Sequence, residues 1–193
     1  MREIESSPGT VISDVDADGV EQLDLEDRLC FRCRLLEDPR RPGPSTGECP
    51  VPTAGLMRLV RDGRSGIKVV TRLGRILAYS VFGRAVLFPG LAESGLAADD
   101  DALIVGALFA TSEAQDDNLD IDLLVAVMDF AREHDYETVQ VVCRADDDEE
   151  SEAARQAMLS AAGFDNSDPV NGLCLAQIGI EQWDSPSEND AEE

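Results

Sequence analysis

The chain has 193 residues, 43% hydrophobic and 5% aromatic, which suits one domain with a sizeable core plus terminal tails. Its formal net charge is −24, with 40 acidic against 16 basic residues, and Lys68 is the only lysine. That balance leaves no excess of cations to replace phosphate counterions, so it argues against general affinity for nucleic acid. No apolar run reaches the length of a membrane span, and "MREIESSPGT" lacks the basic and apolar regions of a leader peptide. The expectation is a cytoplasmic protein that binds neither nucleic acid nor membrane. Acidic residues occur in every segment, which fits a halophile-like composition better than a local mimic of a polyanion. At molar salt the Debye length shrinks to ~3 Å and self-repulsion is screened.

Residues 1–27 are polar and acidic, broken by "SPG" and "DVDADG", and read as an acidic N-terminal arm. Residues 28–53 form a cysteine- and proline-rich loop. Within it Cys30, Cys33 and Cys49 have a spacing that suits a zinc or redox site. A tetrahedral structural zinc wants a fourth ligand, and no residue nearby supplies one. His134, the only histidine, completes the set only if the fold brings a helix end there; its default role is a basic helix-end position. Arg32, Arg34, Arg40 and Arg41 cluster beside Glu37, Asp38 and Glu48, with which they are expected to pair.

The spacing of Leu56, Leu59 and Val60 in "TAGLMRLVRDG" predicts a short helix. "IKVVTRLGRILAYSVFG" reads as a hairpin around "RLGR", without one of the strong two-residue turn sequences. "AVLFPGLAESGLAADD" is expected to be a strand end and a loop. "ALIVGALFATS" is nearly all apolar, the mark of a central strand buried on both faces. Leu119, Leu123, Leu124, Val127, Met128 and Ala131 then recur at helical spacing. "ETVQVVCRAD" is a second central strand. "SEAARQAMLSAAGF" is a helix with a serine cap and a stop at Gly163, and "GLCLAQIGIE" is a final strand. The core therefore spans 54–182 as a single α/β (α+β) domain, and 183–193 form a disordered acidic tail. No Ser-His-Asp, P-loop or zincin pattern appears.

Strand "LIVGALFAT", helix "LLVAVMDFAREHDY", strand "TVQVVC" and "AARQAMLSAAGF" together resemble the core of the GNAT superfamily of acetyl-CoA-dependent N-acetyltransferases. The ending "FAREHDY" is similar to the family's "FARERGY" type, "AGF" to its "LGF", and the preceding hairpin to the strand pair that leads into the motif. The resemblance implies a mixed, mostly antiparallel sheet flanked by helices, and transfer of an acetyl group from acetyl-CoA to an amine on a small molecule or protein. It also implies strand contacts to the cofactor arm at Leu108, Phe109 and Ala110. Counting back from Tyr136 without gaps places Gln115 at the start of the family's Q/R-x-x-G-x-G/A loop, so Gln115, Asp116, Asp117, Asn118, Leu119 and Asp120 would hold the diphosphate. A homodimer is common for the fold.

Two departures bear on activity. Asn118 and Asp120 stand on the two motif glycines, and Asp116 where another glycine is common. Each adds a side chain, and two add negative charge beside an expected dianion. At ~6 Å and an effective dielectric near 20, each like-charge pair costs about 3 kcal/mol, and far less in molar salt. Aspartates in a first helical turn also satisfy the helix amides by themselves, so the helix can cap itself without a ligand. Asn tolerates the left-handed conformation, which would preserve the loop shape. Secondly, many members carry a tyrosine just before "LGF" that protonates the departing thiolate; Leu159 matches that position. Tyr79, Cys143 and Glu113 are the candidate substitutes, so the catalytic groups stay unassigned. The alternative reading is a GNAT-fold binding or regulatory protein that has lost coenzyme A binding.

Overall fold

A computed structural model describes residues 9–20, 35, 53–144 and 150–183. Cys30, Cys33, Cys49, the arginine cluster and the acidic run 145–149 lie outside these. The hairpin is present: β2 (Gly66–Arg72) pairs antiparallel with β3 (Arg75–Arg84). Its connection is tighter than expected. Leu73 and Gly74 alone join the strands, with φ of 52° and 77°, the signature of the type I′ turn that matches strand twist. A β-branched or bulky residue rarely accepts this geometry, and Leu73 sits there 91% exposed.

β4 (Ala102–Ala110) lies antiparallel to β3, and β5 (Thr138–Arg144) runs parallel to β4. β7 (Leu173–Gly179) pairs antiparallel with β5, and the two-residue β6 (Asp165–Asn166) closes that edge. At the opposite edge β1 (Thr10–Asp14) pairs with β2. The sheet order is β1-β2-β3-β4-β5-β7-β6, mixed and mostly antiparallel as expected, with one parallel neighbour pair. The arm reading for 1–27 is corrected at this edge. Thr10–Asp14 belongs to the sheet, and after it the short α1 (Ala17–Val20) buries Val20. Alternation of polar and apolar side chains there is too brief to mark a strand by itself.

Helix α2 (Thr53–Asp62) places Leu56 and Leu59 wholly out of solvent. The stretch after β3 is not a loop. A 3-10 turn (Ala85–Leu87) leads into α3 (Pro89–Ser94), which starts on Pro89, whose fixed φ suits a first turn, and stops at the left-handed Gly95. α4 (Ser112–Asp116) and α5 (Leu119–Glu133) follow β4. All six residues predicted for the apolar stripe of α5 are buried. Each buried leucine among them contributes about 1.5–3 kcal/mol relative to exposure. α6 (Glu150–Ala161) begins one residue before the serine expected to cap it, and Gly163 beyond its end has φ 88°.

Side chains on one sheet face join α5, Leu159, Phe164 and Trp183; those on the other join α2, α3, Leu35 and Phe88. Trp183 is thus core, not the start of a tail. Its ring meets Phe164 edge-on at 6.3 Å, a contact no linear pattern announces. The end of α5 is fixed by Tyr136, whose hydroxyl donates to the Arg64 carbonyl at 2.6 Å, and by Arg64, which donates to the His134 carbonyl at 2.7 Å. Among the described residues no helix is long and apolar enough to cross a membrane.

Candidate functional site

The site begins at a glycine inside a strand. Along β3 and β4 the register runs Val81 to Ala107 and then Phe82 to Val105, so Gly106 is an extra residue, a β-bulge that bends β4. A side chain is excluded there, because a Cβ on Gly106 would lie 2.9 Å and 3.2 Å from Cδ1 and Cζ of buried Phe88, and nearer still to Cε1. The parallel ladder to β5 runs from Ala102–Thr138 to Val105–Val141 and stops at the bulge, although both strands continue. β4 and β5 therefore part, and a cleft opens between their C-terminal ends.

What β4 shows to this cleft follows from ladder parity. The Thr111 N–H donates to the Leu77 carbonyl at 2.9 Å, so this opposed pair is a bonded one. Bonded and non-bonded pairs alternate in an antiparallel ladder, which makes Tyr79–Phe109 bonded and turns the backbone groups of Leu108 and Ala110 away from β3. They face the side that β5 has left. Arg155 on α6 crosses this gap, its Nη1 donating to the Leu108 carbonyl at 2.9 Å. Leu108, Phe109, Ala110, Gln115, Asp120, Arg155 and Met158 line the cleft, which is partly open to solvent.

The connection from β4 to α5 is built locally. Thr111 caps α4 by accepting from the Ala114 N–H at 3.2 Å, and Asn118 takes φ 57° before α5 starts. Asparagine tolerates this left-handed conformation. Arg72, at the end of β2, holds the loop by ion pairs to Asp117 (2.7 Å) and Glu113 (3.6 Å) and donates to Thr10 Oγ1 at 2.9 Å. Asp116 and Asp117 are exposed, and Leu119 points into the core. Of the loop residues, Gln115 and Asp120 reach the cleft.

Asp120 does what the self-capping reading expects. Its Oδ1 accepts the Ile121 N–H at 3.0 Å, and its own N–H bonds the same carboxyl. Burial raises its pKa above the ordinary carboxylate value, the two N–H bonds pull it back only in part, and the charge of Asp122 adds to the rise. The Ile121 and Asp122 amides in the first turn of α5 therefore already carry an oxygen acceptor. The strand side of the cleft fits an extended amide-bearing chain, whereas the helix end presents a carboxyl where an anion would sit.

None of the proposed proton-transfer groups lines the cleft. Leu159 is 1% exposed in the core, Cys143 is fully buried opposite Cys174, and Tyr79 is buried against Phe109 with rings 5.1 Å apart. Glu113 is half exposed and paired with Arg72. His134 stacks on Phe130 at 3.9 Å with Nδ1 2.9 Å from the Phe130 carbonyl, a helix-end role. Among the described residues no group of three or more His, Cys, Asp or Glu is placed to hold a metal, so zinc gains no support.

Gly106, Arg155, Met158 and Arg72 were missed by sequence reasoning. A lone glycine in an apolar strand is a bulge signal that was available at Gly106. Arg155 precedes Leu159 by one helical turn, so an arginine on the buried face of α6 was also visible.

No protein-family model and no curated sequence matches the chain. Solved structures do. One is yncA from Salmonella typhimurium with its cofactor acetyl-CoA, at TM-score 0.59 and 12% identity over 93% of this chain and 98% of that one. An agmatine N-acetyltransferase variant in its apo form gives TM-score 0.59 and 16% identity over 89% and 100%. The ribosomal-protein-S5-alanine acetyltransferase from Vibrio fischeri gives 0.56 and 13% over 95% and 100%. The chain has the fold of the GNAT N-acetyltransferases. At these identities the likeness is one of fold.

Proposed function

We propose that the protein is an acyltransferase that moves an acetyl group from acetyl-CoA to an amine. The observation that carries this is the cleft opened by the Gly106 bulge, into which Leu108 and Ala110 turn backbone donors and acceptors. Bound acetyl-CoA would supply the acetyl thioester. Leu108 and Ala110 are suited to pair with the amides of its arm, Phe109 and Met158 to cover it, and Gln115 to meet its far end. The left-handed Asn118 supports the loop shape that the reading needs. A second reading, a non-catalytic domain that no longer takes coenzyme A, is favoured by the Asp120 carboxyl on the α5 amides and by apolar Leu159.

The acceptor is an amine of a small molecule or protein, and the structural neighbours suggest where to begin: agmatine and an alanine-terminated peptide. Calorimetric titration of acetyl-CoA in molar KCl and in dilute buffer, followed by thiol release with an amine panel, tests both readings. Binding at high salt with thiol release supports transfer. Binding without release on any amine counts against both readings as stated, and no binding at either salt favours the second reading.

A further inference from the structure

We propose that Arg155 is the specificity-determining cation of the cleft, the residue that takes the diphosphate of a coenzyme A-type ligand. The inference rests on the reading that the cleft takes acetyl-CoA. A dianion placed at the start of α5 needs donors, and several of the amides there are engaged. The Ile121 N–H serves Asp120 Oδ1 and the Asn118 carbonyl, the Asp122 N–H serves the Asn118 carbonyl at 3.1 Å, and the Ala114 N–H serves Thr111. The Asp120 carboxyl adds repulsion. Opposing it, Arg155 is the one cation among the described residues that line the cleft. Arg72, on the other side of the loop, is not among the lining residues; it pairs with Asp117 and Glu113 and donates to Thr10.

The position of Arg155 suits the task. It springs from α6, across the opening from Asp120, and its half-buried side chain rests with Nη1 on the Leu108 carbonyl. That carbonyl faces the cleft, where an arm amide of the ligand is the natural donor to it. Entry of the arm then releases Nη1 while a phosphate comes within reach of a planar guanidinium, whose paired N–H groups match two phosphate oxygens. The anion seat of this protein therefore depends on a side chain of α6 in place of loop amides.

The test uses the full chain in KCl, with acetyl-CoA and acetyl-pantetheine, which lacks the diphosphate, titrated into wild type, Arg155→Gln and Arg155→Lys. Glutamine can still donate to Leu108, so the fold is kept, and circular dichroism checks it. The expected result is a loss of about 10- to 100-fold in acetyl-CoA affinity for Arg155→Gln. Acetyl-pantetheine affinity stays within about twofold, and Arg155→Lys recovers part of the loss. Equal losses for both ligands, no loss, or tighter acetyl-CoA binding overturn the role of Arg155 while leaving the cleft reading intact. Wild type that binds acetyl-pantetheine but not acetyl-CoA does the same. Wild type that binds neither overturns both.

Discussion

Replacing Gly106 with alanine tests whether the bulge is fixed by packing. Its φ is not in the left-handed region, so the obstacle is steric and lies with Phe88. A Cβ 2.9 Å from Phe88 Cδ1, and nearer to Cε1, requires the ring to retreat by roughly 1 Å to reach a carbon contact near 3.5 Å. The ring is 1% exposed and packed among α3, β4 and α2, so it cannot retreat without displacing core neighbours. Overpacking of this kind costs about 1–3 kcal/mol. Alanine also restricts the unfolded chain, which returns about 0.4–1 kcal/mol. The net loss is about 1–2 kcal/mol, a fall in Tm of about 2–8 °C for a chain of this size. Thermal unfolding followed by circular dichroism in molar KCl measures it. Phe88→Leu makes room, so the double variant should lose less than the sum of the singles by about 1 kcal/mol. An unchanged or raised Tm for Gly106→Ala, or strict additivity with Phe88→Leu, would refute the argument that Phe88 dictates glycine here.

Asp62 is held by Arg84 and by the Ser65 hydroxyl at 2.8 Å; burial pushes its pKa up, but these bonds win and the net shift is downward. Its stabilising effect is thus full above the ordinary carboxylate pKa and is lost as pH falls through the lowered one. Asp62→Asn should cost about 1–2 kcal/mol at pH 7, with the gap to wild type closing in acid, as read by Tm against pH. Asp120 behaves oppositely, because burial raises its pKa: its contribution is complete below the ordinary carboxylate value and is lost as pH rises through the raised one. Asp120→Asn should therefore match wild type in acid and exceed it at neutral pH; a constant offset at all pH values would count against burial as the cause. Leu73→Asn gives the hairpin an Asn-Gly turn and should add about 1 kcal/mol, seen as a higher Tm without change in binding. With net charge −24, the wild type should melt lower in dilute buffer than in molar KCl; salt-independent melting would remove the halophile-like reading.

The sequence by itself determined the elements whose pattern is long and periodic. The α5 stripe from Leu119 to Ala131 and the two apolar central strands were legible because burial on one face or both leaves a signal over many residues. The left-handed conformation at Asn118 was also within its reach, since asparagine tolerates it better than most residues. Other features depend on partners distant in sequence. The edge strand Thr10–Asp14 exists because β2 lies beside it, and Trp183 is core because Phe164 and α5 surround it. The glycine in "ALIVGALFA" was readable as a kink, but only Phe88, brought over by α3, decides that β4 must leave β5 there. Whether aspartate in the loop closes an anion seat was beyond the sequence, because the answer turns on where the Asp120 carboxyl points and on which cation stands opposite. Tertiary structure turned that carboxyl onto its own helix and set Arg155 on the Leu108 carbonyl, since side-chain direction and long-range contacts are fixed only once the helices dock on the sheet.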